Sequence, residues 1–331
     1  MKKIMDTAKT KIWAYRMIAF VIGIGVLAAL VYHAGFERFL NIILQASPYW
    51  LAASAIIYAS SWIFRTLRLK QFTMYAGKSI KMFDLFKLHI SGYAINVILP
   101  AKLGDAATVG YLKMRGISIG RSAAIVLQTR ILDVFALILL SIPAFISFFQ
   151  KGAPEWISTI IFFCIILVAV PIVVVILDKN KRISNVLEKS GDELSHKFLK
   201  LAIEKMKDAY EGYHEMMSDK KLFFSSIFLS LMIWLFDGLA CYMVSIAVGA
   251  QIPVIAVVLA VSMGNVGKSA PVTPGSIGIY ESILAAVLVL FSIPFDAAVV
   301  IAILDHAIKN LFTLVVGLPA TMGIGMAVSS C

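Results

Sequence analysis

An all-α polytopic membrane protein is the fold class this sequence predicts, and three observations predict it. Hydrophobic residues make up 60% of the 331-residue chain and charged residues only 15%, against about 25% charged in an ordinary soluble domain. The apolar residues come in runs long enough to cross a bilayer core, which takes about 20 residues of helix. The basic residues, which give a formal net charge of +11, gather at alternate loops between those runs. So few polar side chains cannot coat soluble domains of this total length, and disordered, collagenous and soluble globular classes are excluded.

Lys2, Lys3, Lys9, Lys11 and Arg16 precede the first apolar run, Met17 to about Ala34. That run is long enough to span and lacks a small-x-small cleavage site, so it reads as a retained first helix and not as a signal peptide. Six spans are expected at approximately 14–35, 48–69, 119–149, 156–177, 222–249 and 295–327. Arg65, Arg68, Lys70, Lys78 and Lys81 follow the second span, and Lys113, Arg115 and Arg121 precede the third. Lys179, Lys181 and Arg182 follow the fourth, while the opposite loops offer Arg38 and Lys151. By the positive-inside rule both termini face the cytoplasm of a multi-pass protein of the cell membrane.

Two apolar regions do not fit as simple spans. Residues 83–115 leave and return to basic flanks and are broken at Pro100 and Gly104. Residues 252–293 leave and return to the other side, and are broken at Gly264, Gly267, Pro271, Pro274 and Gly275. Each reads as a re-entrant helical hairpin, and the two enter from opposite sides. Irregular backbone at membrane depth is tolerated only where it is buried in protein or lines a wet cavity, which points to a shared central cavity. The halves also repeat. Pro100 and Gly104 have the spacing of Pro274 and Gly278, while Arg130, Asp133 and Pro143–Ala144 have that of His306, Lys309 and Pro319–Ala320. The long helix after each hairpin runs in opposite directions, the pattern of an inverted-topology repeat. The expected organisation is a membrane half over 1–177, a cytoplasmic amphipathic linker over 178–221, and a second membrane half over 222–331. In the linker, Leu199, Ile203, Met206, Tyr210, Tyr213 and Met217 share one helical face. Ser190 and Glu193 have capping-box spacing at its start.

Lys102, Asp105, Arg130, Asp133, Asp237, Lys268, Glu281, Asp305 and Lys309 lie within or against apolar runs. Each charge at mid-bilayer costs about 2.5–3.5 kcal/mol on insertion scales, so these side chains must be paired, near an interface or hydrated. One reading is structural: Arg130 and Asp133 are i,i+3 neighbours, and Asp305 and Lys309 are i,i+4 neighbours. The other is a substrate or ion pathway, favoured because the charges cluster beside the helix breaks. Thr273-Pro274-Gly275 reads as a helix start inside the membrane, whose free N–H groups suit a phosphate. The cysteines and histidines are scattered, so neither a metal site, a disulfide scaffold nor a cofactor is expected. Gly23-Ile24-Gly25 lies in an apolar span with no preceding strand and is helix packing, not a dinucleotide fingerprint. The basic residues are explained by topology, so no nucleic-acid partner is expected.

At the two hairpins the sequence resembles the flippase-like family defined by the membrane region of lysylphosphatidylglycerol synthases. The resemblance covers nearly the whole chain. Its first block is Asn96-Val-Ile-Leu-Pro100-Ala-Lys102-Leu-Gly104-Asp105, followed by Gly116-Ile-Ser118 and Arg130-Ile-Leu-Asp133. Its second and most specific block is Thr273-Pro274-Gly275-Ser-Ile-Gly278-Ile-Tyr-Glu281. The resemblance implies movement of a polar or phosphate-bearing lipid between leaflets. Lys102, Arg130, Lys268 and Lys309 would hold the anionic group, and Asp105, Asp133, Glu281 and Asp305 would position those cations or accept a cationic headgroup. Three departures stand out. Thr129 replaces the family's acidic residue before the Arg, Asp305-His306 stands near a family Tyr-Arg, and no soluble aminoacyl-transferase domain is present. The last argues against lysyl-lipid synthesis by this chain alone. The alternative class is a membrane subunit presenting lipid to a separate synthase or glycosyltransferase. The expected partners are a membrane lipid, a second copy of the chain and a lipid-modifying enzyme.

Overall fold

In the computed structural model the described residues are 2–99, 102–149, 159, 166, 169–170, 173–174, 177–178, 182–192, 197–268 and 273–329, with no strand among them. The helices are α1 (Lys2–Ala34), α2 (Phe36–Gln45), α3 (Pro48–Tyr75), α4 (Met82–Ile98), α5 (Leu103–Met114) and α6 (Ile119–Phe149). They continue as α7 (Arg182–Asp192), α8 (Lys197–Ser218), α9 (Lys220–Ala247), α10 (Val254–Gly267), α11 (Ile279–Leu290) and α12 (Phe295–Ser329). Met17–Ala34, Ile119–Ile146, Lys220–Ala247 and Phe295–Ile324 are each long and apolar enough to cross a membrane. The pair α2 and α3, bent by 81° at its joint, makes a fifth span only when taken together. The expected span 156–177 lies largely outside the described residues, as do Pro100, Pro271, Lys151, Lys181 and Glu193. The chain is thus a helical, multi-pass membrane protein.

It divides into two compact units. The first comprises Met1–Ser60, Tyr93–Gly104 and Leu235–Cys331, and the second Ser61–Gly92 and Asp105–Trp234. Helices α3, α4, α5 and α9 therefore contribute residues to both.

In the first unit α11 packs against α10, α12 and α1. Small residues make the approach close: a Cβ on Gly264 would stand 2.7 Å from the Tyr280 ring. Val257, Leu259, Leu284, Leu288 and Ala298–Ala302 form the buried core. The turn before α11 depends on glycine. Gly275 and Gly278 have φ of 59° and 85°, where a side chain is strained. A Cβ on Gly278 would lie 2.8 Å from the Gly23 carbonyl oxygen, and one on Gly275 3.0 Å from that of Val97. Val97 closes the last turn of α4 just before the first helix break, so the two broken segments touch here. Sequence reading places nothing between the first two spans, yet α2 forms there. It turns off α1 at Gly35, whose φ is 83°, and has no buried residue.

In the second unit Phe72, Leu85, Leu112, Ile125, Leu132 and Tyr213 belong to one buried cluster. The linker is two helices, and Ser190 lies inside α7 instead of opening a helix. Asp178 caps α7, accepting the N–H groups of Arg182 and Ile183 at 2.6 and 3.1 Å. The expected apolar face of α8 docks on α6 only through its C-terminal part. Of that face Tyr213 is buried and Met217 packs half-buried against the core, whereas Leu199 and Met206 are exposed. Gly212 allows the approach, since a Cβ there would meet Arg121 and Ala124. Both ends of the α4–α5 hairpin come together: Asp84 pairs with Arg115 at 3.6 Å, and the Lys78 side chain lies against Gly116.

Candidate functional site

The buried charges form one cluster in each unit. In the second unit Arg68 on α3 is fully buried and places Nη1 2.7 Å from Oδ1 of Asp133 on α6. The same nitrogen donates to Ser230 Oγ at 2.6 Å, and the Trp234 indole N–H donates to Asp133 Oδ1 at 3.1 Å. Arg65, one turn earlier, lies over the rings of Trp62 and Trp234, 5.6 and 5.2 Å from their centroids. Arg130 forks onto Asp105, donating from Nε at 3.1 Å and from Nη2 at 2.5 Å.

Two sequence expectations change here. The i,i+3 pair of Arg130 and Asp133 is only a 3.9 Å contact. Arg68 approaches Asp133 more closely because α3 is packed against α6, so Asp105 becomes the closer partner of Arg130. Arg65 and Arg68 read in sequence as cytoplasmic flank, yet they are 2% and 0% exposed. A signal for them exists: Trp62, Arg65, Leu69 and Phe72 recur every three or four residues and share one buried face of α3. Of the predicted site residues, Asp105, Arg130 and Asp133 belong to this unit.

The first unit holds Asn96, Lys102, Gly104, Lys268, Thr273, Pro274, Gly275, Gly278, Glu281, Asp305 and Lys309. At the first break Asn96 Oδ1 accepts the Gly104 N–H at 2.7 Å, which secures the start of α5. Lys102 there has a φ of 55°, the left-handed region disfavoured for a side-chain-bearing residue. At the second break the expected helix start at Thr273–Pro274 is not formed. Pro274–Ser276 is a single 3-10 turn, and the Thr273 hydroxyl donates to the Ile277 carbonyl at 2.9 Å. The helix proper, α11, begins after Gly278, whose N–H donates to Oε2 of Glu281 at 2.8 Å. The chain's own carboxylate therefore occupies a donor that an external anion would need.

Along α11 and α12 two neighbouring links run side by side. The Tyr280 hydroxyl donates to Asp305 Oδ2 at 2.6 Å, and His306 Nδ1 is 2.6 Å from Glu281 Oε1. Lys309 reaches Asp305 at 2.9 Å, the i,i+4 spacing seen in sequence, and donates to the Asp237 carbonyl at 3.1 Å. Lys268 has no carboxylate partner among the described residues and sets its ammonium 3.8 Å from the Tyr280 ring centroid. Tyr280 and His306 were not among the predicted site residues. Their signal is the register in which Tyr280-Glu281 faces Asp305-His306. Among the described residues no group of three His, Cys, Asp or Glu side chains is placed to hold a metal.

Each cluster by itself carries donors suited to an anion inside an apolar helical protein: guanidinium groups in the second unit, ammonium and hydroxyl groups in the first. Arg68 retains the means to do so, because its Nε and Nη2 have no hydrogen-bond partner among the described residues. A guanidinium fork with spare donors matches a phosphate.

Residues 16–317 match the family described as the lysylphosphatidylglycerol synthase TM region. Glycosyltransferase AglD of Haloferax volcanii is 22% identical over 92% of this chain and 53% of its own length. This chain therefore spans about half of that relative. A UPF0104 membrane protein of Methanothermobacter thermautotrophicus is 22% identical over 99% of this chain and 97% of its own. A UPF0104 membrane protein of Pyrococcus horikoshii is 21% identical over 89% and 92%.

Proposed function

The chain belongs to the lysylphosphatidylglycerol synthase TM region family, and from that premise we propose that it moves a polar or phosphate-bearing lipid between the leaflets of the cell membrane. The observation that carries this reading is the burial of charge inside both helical units. Arg68 and Asp305 are 0% exposed, and Asp133, Glu281 and Lys309 are no more than 4% exposed. Apolar residues of similar volume often serve a core as well as or better than buried ion pairs. Ionisable side chains kept inside membrane segments accordingly mark ligand or ion pathways. In this reading Arg130 and the spare donors of Arg68, all in the second unit, take the lipid phosphate. Asp105 and Asp133 hold the arginines in place, Lys309 acts through Asp305, and both termini face the cytoplasm. The chain is a transporter, not an enzyme.

The test uses purified protein in liposomes carrying fluorescent phosphatidylglycerol in both leaflets. Dithionite, which cannot cross the membrane, bleaches only the outer leaflet in empty vesicles. With active translocase the protected fraction should disappear; protection equal to that of empty vesicles would sink the proposal.

The relative named a glycosyltransferase supports a second reading, in which a region like this one presents lipid to a transferase. In that case bleaching stays at the empty-vesicle level, and glycosylated lipid forms only once such an enzyme is added.

A further inference from the structure

Glu281 and His306 face one another from α11 and α12, with side chains 4% and 2% exposed. His306 Nδ1 lies 2.6 Å from one carboxylate oxygen, and the other oxygen takes the N–H of Gly278. The second ring nitrogen, Nε2, is buried and has no hydrogen-bond partner among the described residues. A neutral imidazole has one donor nitrogen and one acceptor nitrogen. With the Nδ1 proton engaged by Glu281, Nε2 is the acceptor left over. A buried polar atom without a partner is costly to keep. This one sits on the side chain suited to gaining and losing a proton near neutral pH.

Of the neighbouring charges the Asp305 carboxylate is matched by Lys309, while the Lys268 ammonium has no carboxylate partner among the described residues. On α11, Tyr280 donates to Asp305, and its ring centroid is 4.6 Å from that of His306. On α12, Asp305 is neutralised by Lys309, which also binds the Asp237 carbonyl of α9, the helix that carries Cys241. Lys268, just past α10, lies over the far partner, Tyr280. Adding a proton at Nε2 turns the imidazole–carboxylate contact into an ion pair, so the new charge is met at hydrogen-bond distance. Glu281 then links that charge to the backbone of the helix break through Gly278.

We propose that Glu281 and His306 form a proton-binding site, with Nε2 of His306 as acceptor, whose occupancy is coupled to lipid movement. The coupling rests on the translocase reading above; the proton site does not. His306→Asn is the test variant, because its amide N–H can replace Nδ1 toward Glu281 without ionising. Proton uptake by the purified wild type between about pH 8 and pH 4 should exceed that of the variant by about one proton per chain. Superimposable titrations overturn the site. Should the variant not give monodisperse protein, nitrogen NMR of histidine-labelled wild type follows the ring directly, and a His306 that stays neutral over this range is equally fatal. In the fluorescent phosphatidylglycerol assay, an imposed pH gradient should change the wild-type rate, and the variant should lose that response. A wild-type rate indifferent to the gradient overturns the coupling. If the probe fails to move in wild type and variant alike, the translocase reading and the coupling fall together, while the titration still decides the proton site.

Discussion

At Arg130 two carboxylates compete for one guanidinium, and distance decides between them. Asp105 receives two hydrogen bonds, whereas Asp133 stands 3.9 Å away and is held by Arg68. Arg130→Gln should therefore take both of these hydrogen bonds from Asp105, at about 1–3 kcal/mol for a partly buried acceptor. Adding Asp105→Asn should restore the melting temperature, and adding Asp133→Asn should lower it further because Arg68 then loses its own partner. Rescue by the Asp133 change would show that the i,i+3 pair governs after all. Arg68→Met should cost more, about 3–5 kcal/mol, since it removes the close cationic partner of a buried carboxylate and leaves only the 3.9 Å contact with Arg130. Denaturant or thermal melts in one detergent rank the variants, and a smaller loss for Arg68→Met than for Arg130→Gln would contradict the burial argument.

The elements depend on backbone contacts that glycine alone permits. Gly23 and Gly25 lie two residues apart on α1, but only a Cβ at Gly23 meets the Ile277 carbonyl, at 2.8 Å. Around Gly25 nothing lies within 4 Å. Gly278→Ala, with its φ of 85°, should cost about 1–3 kcal/mol for the strained conformation alone. Gly25→Ala should leave the melting temperature unchanged or raise it. Equal losses in the two would remove close packing as the cause. At the linker, the Tyr210 hydroxyl donates to Asp178 at 2.5 Å. This bond, with those from the Ile183 and Arg182 N–H groups, holds the Asp178 carboxyl below its ordinary value. Because the folded value is the lower one, the stabilisation is fully present above the unfolded value of about 3.9 and is lost as pH falls through the folded value. Tyr210→Phe should move the acid loss of hydrogen-exchange protection in α7 and α8 to higher pH. Unchanged acid sensitivity would rule Tyr210 out.

For the whole molecule, the α4–α5 hairpin offers a direct test of how the chain threads the membrane. The Asp84–Arg115 pair and the contact of Lys78 with Gly116 bring both ends of the α4–α5 hairpin together. Single cysteines at Lys78, Lys113 and Arg121, in a background lacking Cys164, Cys241 and Cys331, should all react with an impermeant maleimide from one side. That side should be the cytoplasm, given the basic loops. Labelling of Lys78 and Arg121 from opposite sides would make the hairpin a true span and end the case for an inverted repeat.

The sequence by itself determined the membrane class, the long apolar helices and the two places where helices break. These follow from composition, run length and the positions of proline and glycine, all of which act locally along the chain. It also marked Asp105, Arg130, Asp133, Lys268, Glu281, Asp305 and Lys309 as charges needing partners. Only the i,i+4 pair of Asp305 and Lys309 came with its close partner, because one helical turn fixes that distance. Tertiary structure decided the rest. Arg68 and Asp133 are 65 residues apart, and Glu281 and His306 are 25 apart. Which charge meets which depends on the faces that packed helices turn toward each other, and no period of 3.6 residues encodes that. The same holds for Gly278, whose need for glycine comes from its own turn and from a carbonyl on α1, far away in sequence. Helical periodicity reports which side chains share a face; only packing decides what that face meets.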